Sequence, residues 1–166
     1  MAPKARGLSV ELLCIHHSLD EFSSGDPATD EIARHLYERT RQRDVDDMVT
    51  FVVAQSTGTV VGIASVVDLI LMSDLSAEGE PVEGRCLFYS LLAVDRRFQS
   101  GLVLSMLLDE LERIRDRRFS RGAYLGEVAA PLAAAGSRAV SEFLERREFL
   151  PLQSDAWLWF RARTRE

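Results

Sequence analysis

The densest run of groups able to do chemistry lies between Leu91 and Leu104, where Asp95, Arg96, Arg97, Gln99, Ser100 and Gly101 follow a long apolar stretch. A turn leading from a strand into a helix exposes backbone N–H groups at the helix N-terminus, and those groups bind anions, phosphate above all. Asp95, Arg96 and Arg97 have two readings: side chains that hold substrate or phosphate, or an ordinary acidic-basic approach to a helix. The other candidates stand singly. Glu127 is placed to deprotonate an amine, although a carboxylate on a strand is expected to face solvent. His16 and His17 read as the end of a strand rather than as proton carriers. Trp157 and Trp159 alternate on one strand, share a face, and read as packing rather than as a ligand cage. Cys14 and Cys86 form no framework, and no Cys/His spacing suggests a metal, so they read as buried free thiols suited to a reducing cytosol.

These groups need a scaffold, and the hydrophobic pattern supplies one. Leu8 to Ile15 reads as a strand and is followed by a Ser-Gly-Pro loop. Pro27 to Asp30 opens a helix that carries Ile32, Ala33, Leu36 and Tyr37 on its apolar stripe to about Arg43. Thr50 to Ala54 and Val60 to Val67 form a hairpin about a short turn containing Gly58. Met72 to Gly84 is polar with Gly and Pro and is expected to be a loop, long enough to form a mobile edge. Arg85 to Val94 is nearly continuous in apolar residues, as in a central strand covered on both faces. From Val103 the apolar positions 104, 107, 108, 111 and 114 follow helical spacing. Ala123 to Ala129 is a further strand, Ser137 to Arg147 a second amphipathic helix, and Trp157 to Phe160 a final strand. The order predicts an α/β protein: a central mixed sheet with helices on both faces.

Bulk properties bound the function. The 166 residues, 46% apolar and 28% charged, fit one globular domain over residues 8–166 behind a disordered N-terminus of residues 1–7. The formal charge of −6 argues against wholesale nucleic-acid binding. The arginines at 39, 41 and 43, and those from Arg113 to Arg121, are interleaved with acids and read as solvated helix faces. No apolar run approaches the roughly 18 residues of a membrane span, and no leader pattern opens the chain, so it is expected in the cytoplasm.

The segment Leu91-Leu92-Ala93-Val94-Asp95-Arg96-Arg97-Phe98-Gln99 resembles the acetyl-CoA-binding motif of the GNAT acetyltransferase superfamily, which commonly reads L-A-V-D-R-R-Y-Q-G-x-G-x-G. Glu142 to Phe149 is similar to the later F-Y-E-R-x-G-F segment of that family. The order of elements matches over nearly the whole chain. The greatest likeness is to the small branch containing toxin-antitoxin acetyltransferases, where a comparable Thr-Phe-Val-Val strand precedes the hairpin. The resemblance implies a GNAT-like fold, acetyl-CoA as acyl donor and an amine as acceptor. By the same likeness, Leu92 and Val94 would meet the pantetheine through their backbone. Gln99, Ser100, Gly101, Leu102, Val103 and Leu104 would receive the pyrophosphate.

Four positions depart from the family. Leu102 and Leu104 stand where glycine or alanine lets the backbone close on the pyrophosphate. The loss of two charge-assisted bonds there would cost about 3–6 kcal/mol of donor binding. Leu144 stands where a tyrosine commonly protonates the departing thiolate; Ser137, Ser141, Tyr89 and Tyr124 are the hydroxyls that could replace it. Glu148 replaces the glycine that ends the helix in a left-handed turn. Two functions are compatible with this pattern: an acyl-CoA-dependent N-acyltransferase, weakened or inactive, or a pseudoenzyme whose GNAT-like fold binds a protein partner or a second copy of itself. On the second reading the Leu102-Val103-Leu104 segment packs against a partner or against the chain itself.

Overall fold

Leu8 to Ile15 is apolar almost throughout, yet the first strand, β1, covers only Leu8–Leu12. The chain turns immediately afterwards, the His17 amide donating to the Cys14 carbonyl at 3.1 Å, which leaves Ile15 exposed. The computed structural model describes residues 7–41, 48–74, 81–98, 101–122, 124–129, 145–152 and 155–162. Helix α1 (Pro27–Arg41) starts at Asp26, whose carboxylate accepts from the Thr29 amide at 3.0 Å and its hydroxyl at 2.7 Å, a side-chain N-cap. Ala33 and Leu36 turn into the core, whereas Ile32, expected on the same stripe, is exposed.

The strands β2 (Met48–Gln55), β3 (Val60–Asp74), β4 (Pro81–Val94), β5 (Gly126–Ala129), β6 (Leu150–Leu152) and β7 (Asp155–Ala162) join β1 in one seven-stranded sheet of order β1-β2-β3-β4-β5-β7-β6. Only β4 and β5 run parallel, linked through helix α2 (Leu102–Arg121); the other pairs are antiparallel, as a mixed sheet requires. The expected loop over Met72–Gly84 is corrected. Met72 pairs with Glu83 and Asp74 with Pro81, so β3 and β4 extend as a hairpin and leave only residues 75–80 between them. Polar composition was a poor guide because a hairpin beyond its neighbouring strands needs no buried face. Strand β6 was not foreseen: Leu150-Pro151-Leu152 is too short for a periodic signal. Of the helix expected over Ser137–Arg147, residues 137–144 lie outside the described ones, and Glu145 and Arg146 are helical. The expected disordered tail also lies outside them, apart from Gly7, and so does the packing of Trp157 and Trp159.

Each face of the sheet has its own core. Phe51, Val53, Val61, Ala64, Leu87 and Val94 pack with Val103, Leu107, Leu111 and Ile114 of α2. Val52, Ala54, Val60, Ile63, Leu91 and Ala93 pack with Ala33 and Leu36 of α1. Gly62 permits the close approach of α2: a β-carbon there would lie 2.5 Å from the Val103 Cγ1 and 3.1 Å from the Leu107 Cδ1.

Candidate acyl-donor site

A single residue breaks the regular pairing of β3 with β4. Ser65 of β3 pairs with Leu91, but the next residue, Val66, pairs with Tyr89, so Ser90 is an extra residue in β4. Such a bulge bends its strand and exchanges the faces taken by the residues beyond it. Leu87 and Tyr89 lie toward α2 before it; Leu92 and Val94 lie toward α2 after it, with Leu91 and Ala93 toward α1. On its other side β4 pairs with β5 from Cys86 to Tyr89 only. From Ser90 to Val94, about 13 Å of strand, that edge has no strand partner among the described residues. Leu92 and Val94, the expected pantetheine contacts, lie on that lip of β4.

That lip leads into the N-terminus of α2. Gly101 sits before the helix with φ 90°, a left-handed conformation that favours glycine, and no side chain caps the helix there. A β-carbon on Gly101 would meet nothing within 4 Å, so the space before it is open. The amides of the first helical turn lack intrahelical acceptors and carry the positive end of the helix dipole. Val103 is buried against Gly62, and Leu104 packs into the core on the α2 face. Both side chains turn inward, so of the two leucines only Leu102 stands near the open side. Of the two destinations weighed for this apolar segment, the chain itself takes Val103 and Leu104. Gln99 and Ser100 lie outside the described residues.

The turn before α2 is held by a network that the sequence did not disclose. Asp95 is fully buried and accepts from the Arg97 amide at 2.9 Å, the Arg97 Nε at 2.9 Å and the Ser23 amide at 3.3 Å. Burial pushes its carboxyl upward, but the Arg97 and Ser23 donors outweigh burial and hold it below the ordinary range. Arg97 also reaches the Glu21 carboxylate at 3.2 Å, and the Arg96 amide donates to the Ser23 carbonyl at 2.8 Å. Ser24 in turn donates through its amide and its hydroxyl to Asp30 of α1. Both arginines are exposed, and Arg97 braces the loop through its bonds to Asp95 and Glu21. The Ser23-Ser24 pair beside Asp30 was the available signal, and it reads equally as a loop composition.

Glu127 does not face solvent as expected; it is 3% exposed. Its carboxylate accepts from Arg161 Nε at 2.7 Å and from the Tyr89 hydroxyl, with Arg115 of α2 at 3.9 Å. Those donors tie β4, β5, β7 and α2 together around one charge. Burial first, and then the Glu127 carboxylate, push the Tyr89 phenol well above its ordinary value. The Tyr124 hydroxyl donates to Asp68 at 3.0 Å, and its phenol is also raised, chiefly by burial. Tyr124 lies level with Arg85, about 30 Å along β4 from Val94. Neither tyrosine is free to replace an acid at the opening. Ser137, Ser141 and Leu144 lie outside the described residues. Glu148 keeps the left-handed turn of the glycine it replaces, at φ 63°. Among the described residues no group of His, Cys, Asp and Glu could hold a metal ion, and no helix is long and apolar enough to cross a membrane.

No protein-family model and no curated protein matches the chain. Solved structures do. AtaT complexed with acetyl-methionyl-tRNAfMet aligns at a TM-score of 0.72 and 16% identity, over 93% of this chain and 94% of that one. A tyrosine-to-phenylalanine mutant of KacT aligns at 0.74 and 16%, over 94% and 95%. AtaTR bound with acetyl-CoA aligns at 0.70 and 16%, over 95% and 94%. The architecture built around the mixed sheet is therefore shared over almost the full length of each chain: the protein has the GNAT fold, in the form taken by AtaT and KacT.

Proposed function

We propose that this protein is an acyl-CoA-dependent N-acyltransferase using acetyl-CoA. The observation that carries the reading is the uncapped N-terminus of α2 next to the unpaired edge of β4. The open space before Gly101 and the amides of residues 101–104 suit a diphosphate; the backbone of Leu92 to Val94 suits the pantetheine and would polarise the acyl carbonyl. Acetyl-CoA would supply the acyl group as a thioester. An acceptor amine attacks its carbonyl carbon, the C–S bond breaks, and the thiolate requires a proton. Leu144 cannot donate one, and the loss of a general acid lowers kcat by about 10²–10⁴-fold, so the enzyme is slow rather than inert. Ser137 is our candidate donor. Glu127, committed to Arg161 and Tyr89, is a poor candidate base, and Glu127→Gln tests it. The AtaT complex makes the α-amino group of an aminoacyl-tRNA the first acceptor to assay, with an antitoxin-like protein as the partner class.

The rival reading is a fold retained only as an interaction module. It gains little from the Leu102-Val103-Leu104 segment, because Val103 and Leu104 are spent on the core of the chain itself. Titration calorimetry with acetyl-CoA separates the two. Saturable binding tighter than about 100 μM, equivalent to roughly 5.5 kcal/mol, supports the enzyme. Absence of heat up to millimolar donor overturns it.

A further inference from the structure

A second group of reactive side chains lies outside the donor site, at the turn between β1 and α1. Cys14 and His17 face each other across the turn closed by the His17 amide and the Cys14 carbonyl. The His17 Nδ1 accepts the Cys14 amide at 3.0 Å and lies 3.4 Å from the Cys14 Sγ. That amide bond fixes the tautomer: Nδ1 carries the lone pair, and Nε2–H donates to the Glu11 carboxylate at 3.2 Å. His17 is 4% exposed, so the base is sheltered, whereas Cys14 is only partly buried. The Tyr37 hydroxyl donates to the His17 carbonyl at 2.8 Å and ties the turn's backbone to α1. A thiol, an imidazole aimed at it and a carboxylate behind the imidazole form the nucleophile, base and orienting group of an assisted thiol.

We propose that Glu11, His17 and Cys14 form a reactive-thiol site, and that Cys14 is modified by thiol–disulfide exchange with low-molecular-weight disulfides. His17 Nδ1, which has a single lone pair, gives up its bond from the Cys14 amide to take the Cys14 proton, and the Glu11 carboxylate stabilises the imidazolium through Nε2–H. The Cys14 sulfur attacks one sulfur of the disulfide; the S–S bond breaks, a mixed disulfide forms on Cys14, and the released thiolate recovers the proton from His17. One thiol is oxidised and one half of the disulfide is reduced, so no further oxidant is needed. The Glu11 carboxyl is held below its ordinary value, by the Ser9 hydroxyl first and then by His17, so Glu11 stays charged where the exchange would run.

Cys86 is the internal control. It is buried in β4, and burial pushes its thiol up to about 11. The folded protein is treated at pH 7 with 5,5′-dithiobis(2-nitrobenzoate) and, separately, with glutathione disulfide; the modified cysteine is located by peptide mass spectrometry. Cys14 is expected to react at least about tenfold faster than the same cysteine in the urea-unfolded chain, with Cys86 unmodified until unfolding. His17→Asn and Glu11→Gln are each expected to slow Cys14 by about tenfold, the low end of general-base assistance. Glu11→Gln alters a half-exposed residue and keeps the test available if His17→Asn fails to fold. A Cys14 rate equal to that of the unfolded chain, or one unchanged in Glu11→Gln, overturns the proposal. None of these readouts depends on acetyl-CoA binding.

Discussion

At the scale of single residues, two side chains hold positions that their chemistry does not favour. Glu148 occupies a left-handed backbone conformation at φ 63° and is exposed. Relief of the left-handed cost, roughly 1–2 kcal/mol, less the added freedom of glycine in the unfolded chain, leaves Glu148→Gly more stable by about 0.5–1 kcal/mol. Urea denaturation measures this; a loss of stability would mean that the Glu148 side chain contributes more than its backbone costs. Asp95 is the opposite case, a buried charge satisfied by four hydrogen bonds from Ser23 and Arg97. Its carboxyl is depressed, so its contribution is present in full above the ordinary value of 3.8 and is lost as the pH falls below it. Asp95→Asn should cost about 1–3 kcal/mol at pH 7 and should flatten the acid limb of the stability curve. An unchanged acid limb in the variant would assign that limb to other carboxylates. Asp95 itself was visible in the sequence. Its partner Ser23, and the Glu21 that holds Arg97, were not, because they lie more than 70 positions away in a loop whose composition suits any turn.

At the scale of elements, the site is made by how α2 meets the sheet. Gly62 lets the helix approach β3, and Gly62→Ala would drive a β-carbon into Val103, whose branched side chain has little freedom to move. Overpacking of this kind costs about 1–3 kcal/mol. Because Val103 belongs to the first turn of α2, the same change should raise the KM for acetyl-CoA more than it lowers kcat. Steady-state kinetics beside a denaturation curve checks both, and a fall in stability with KM unmoved would separate the helix position from the donor site. The apolar spacing of α2 and the continuous run of β4 were legible because periodicity reports burial directly. The Ser90 bulge was not. Nothing in Tyr89-Ser90-Leu91 marks one residue as extra, and only the pairing with Ser65 and Val66 reveals it.

At the scale of the whole molecule, the described residues bury a core on each face of the sheet, so a ligand seated between α2 and the Ser90–Val94 edge of β4 should stabilise the entire fold. Acetyl-CoA at a hundred times its dissociation constant adds about 2.7 kcal/mol, which for a protein of this size raises Tm by about 5–10 °C. Differential scanning fluorimetry with acetyl-CoA, and with adenosine bisphosphate as a fragment control, measures the shift; no change at millimolar donor would count against the donor site. The net charge of −6 describes an average over the surface. Arg113 and Arg117, 70% and 63% exposed on the C-terminal half of α2, both pair with Glu110, so this run is a mixed, solvated face.

The sequence by itself determined the class of fold and the order of its main elements. Those depend on hydrophobic period and on a short contiguous motif, and both are local. Tertiary structure decided the rest: that β3 and β4 run on past Val67 and Arg85, that Glu127 is a buried brace, that Leu104 turns inward, and that Cys14 faces His17. Each of these depends on which residue from a distant segment occupies the other side of a contact. Such a partner is chosen by packing and hydrogen-bond satisfaction over the whole chain, and no local pattern encodes it.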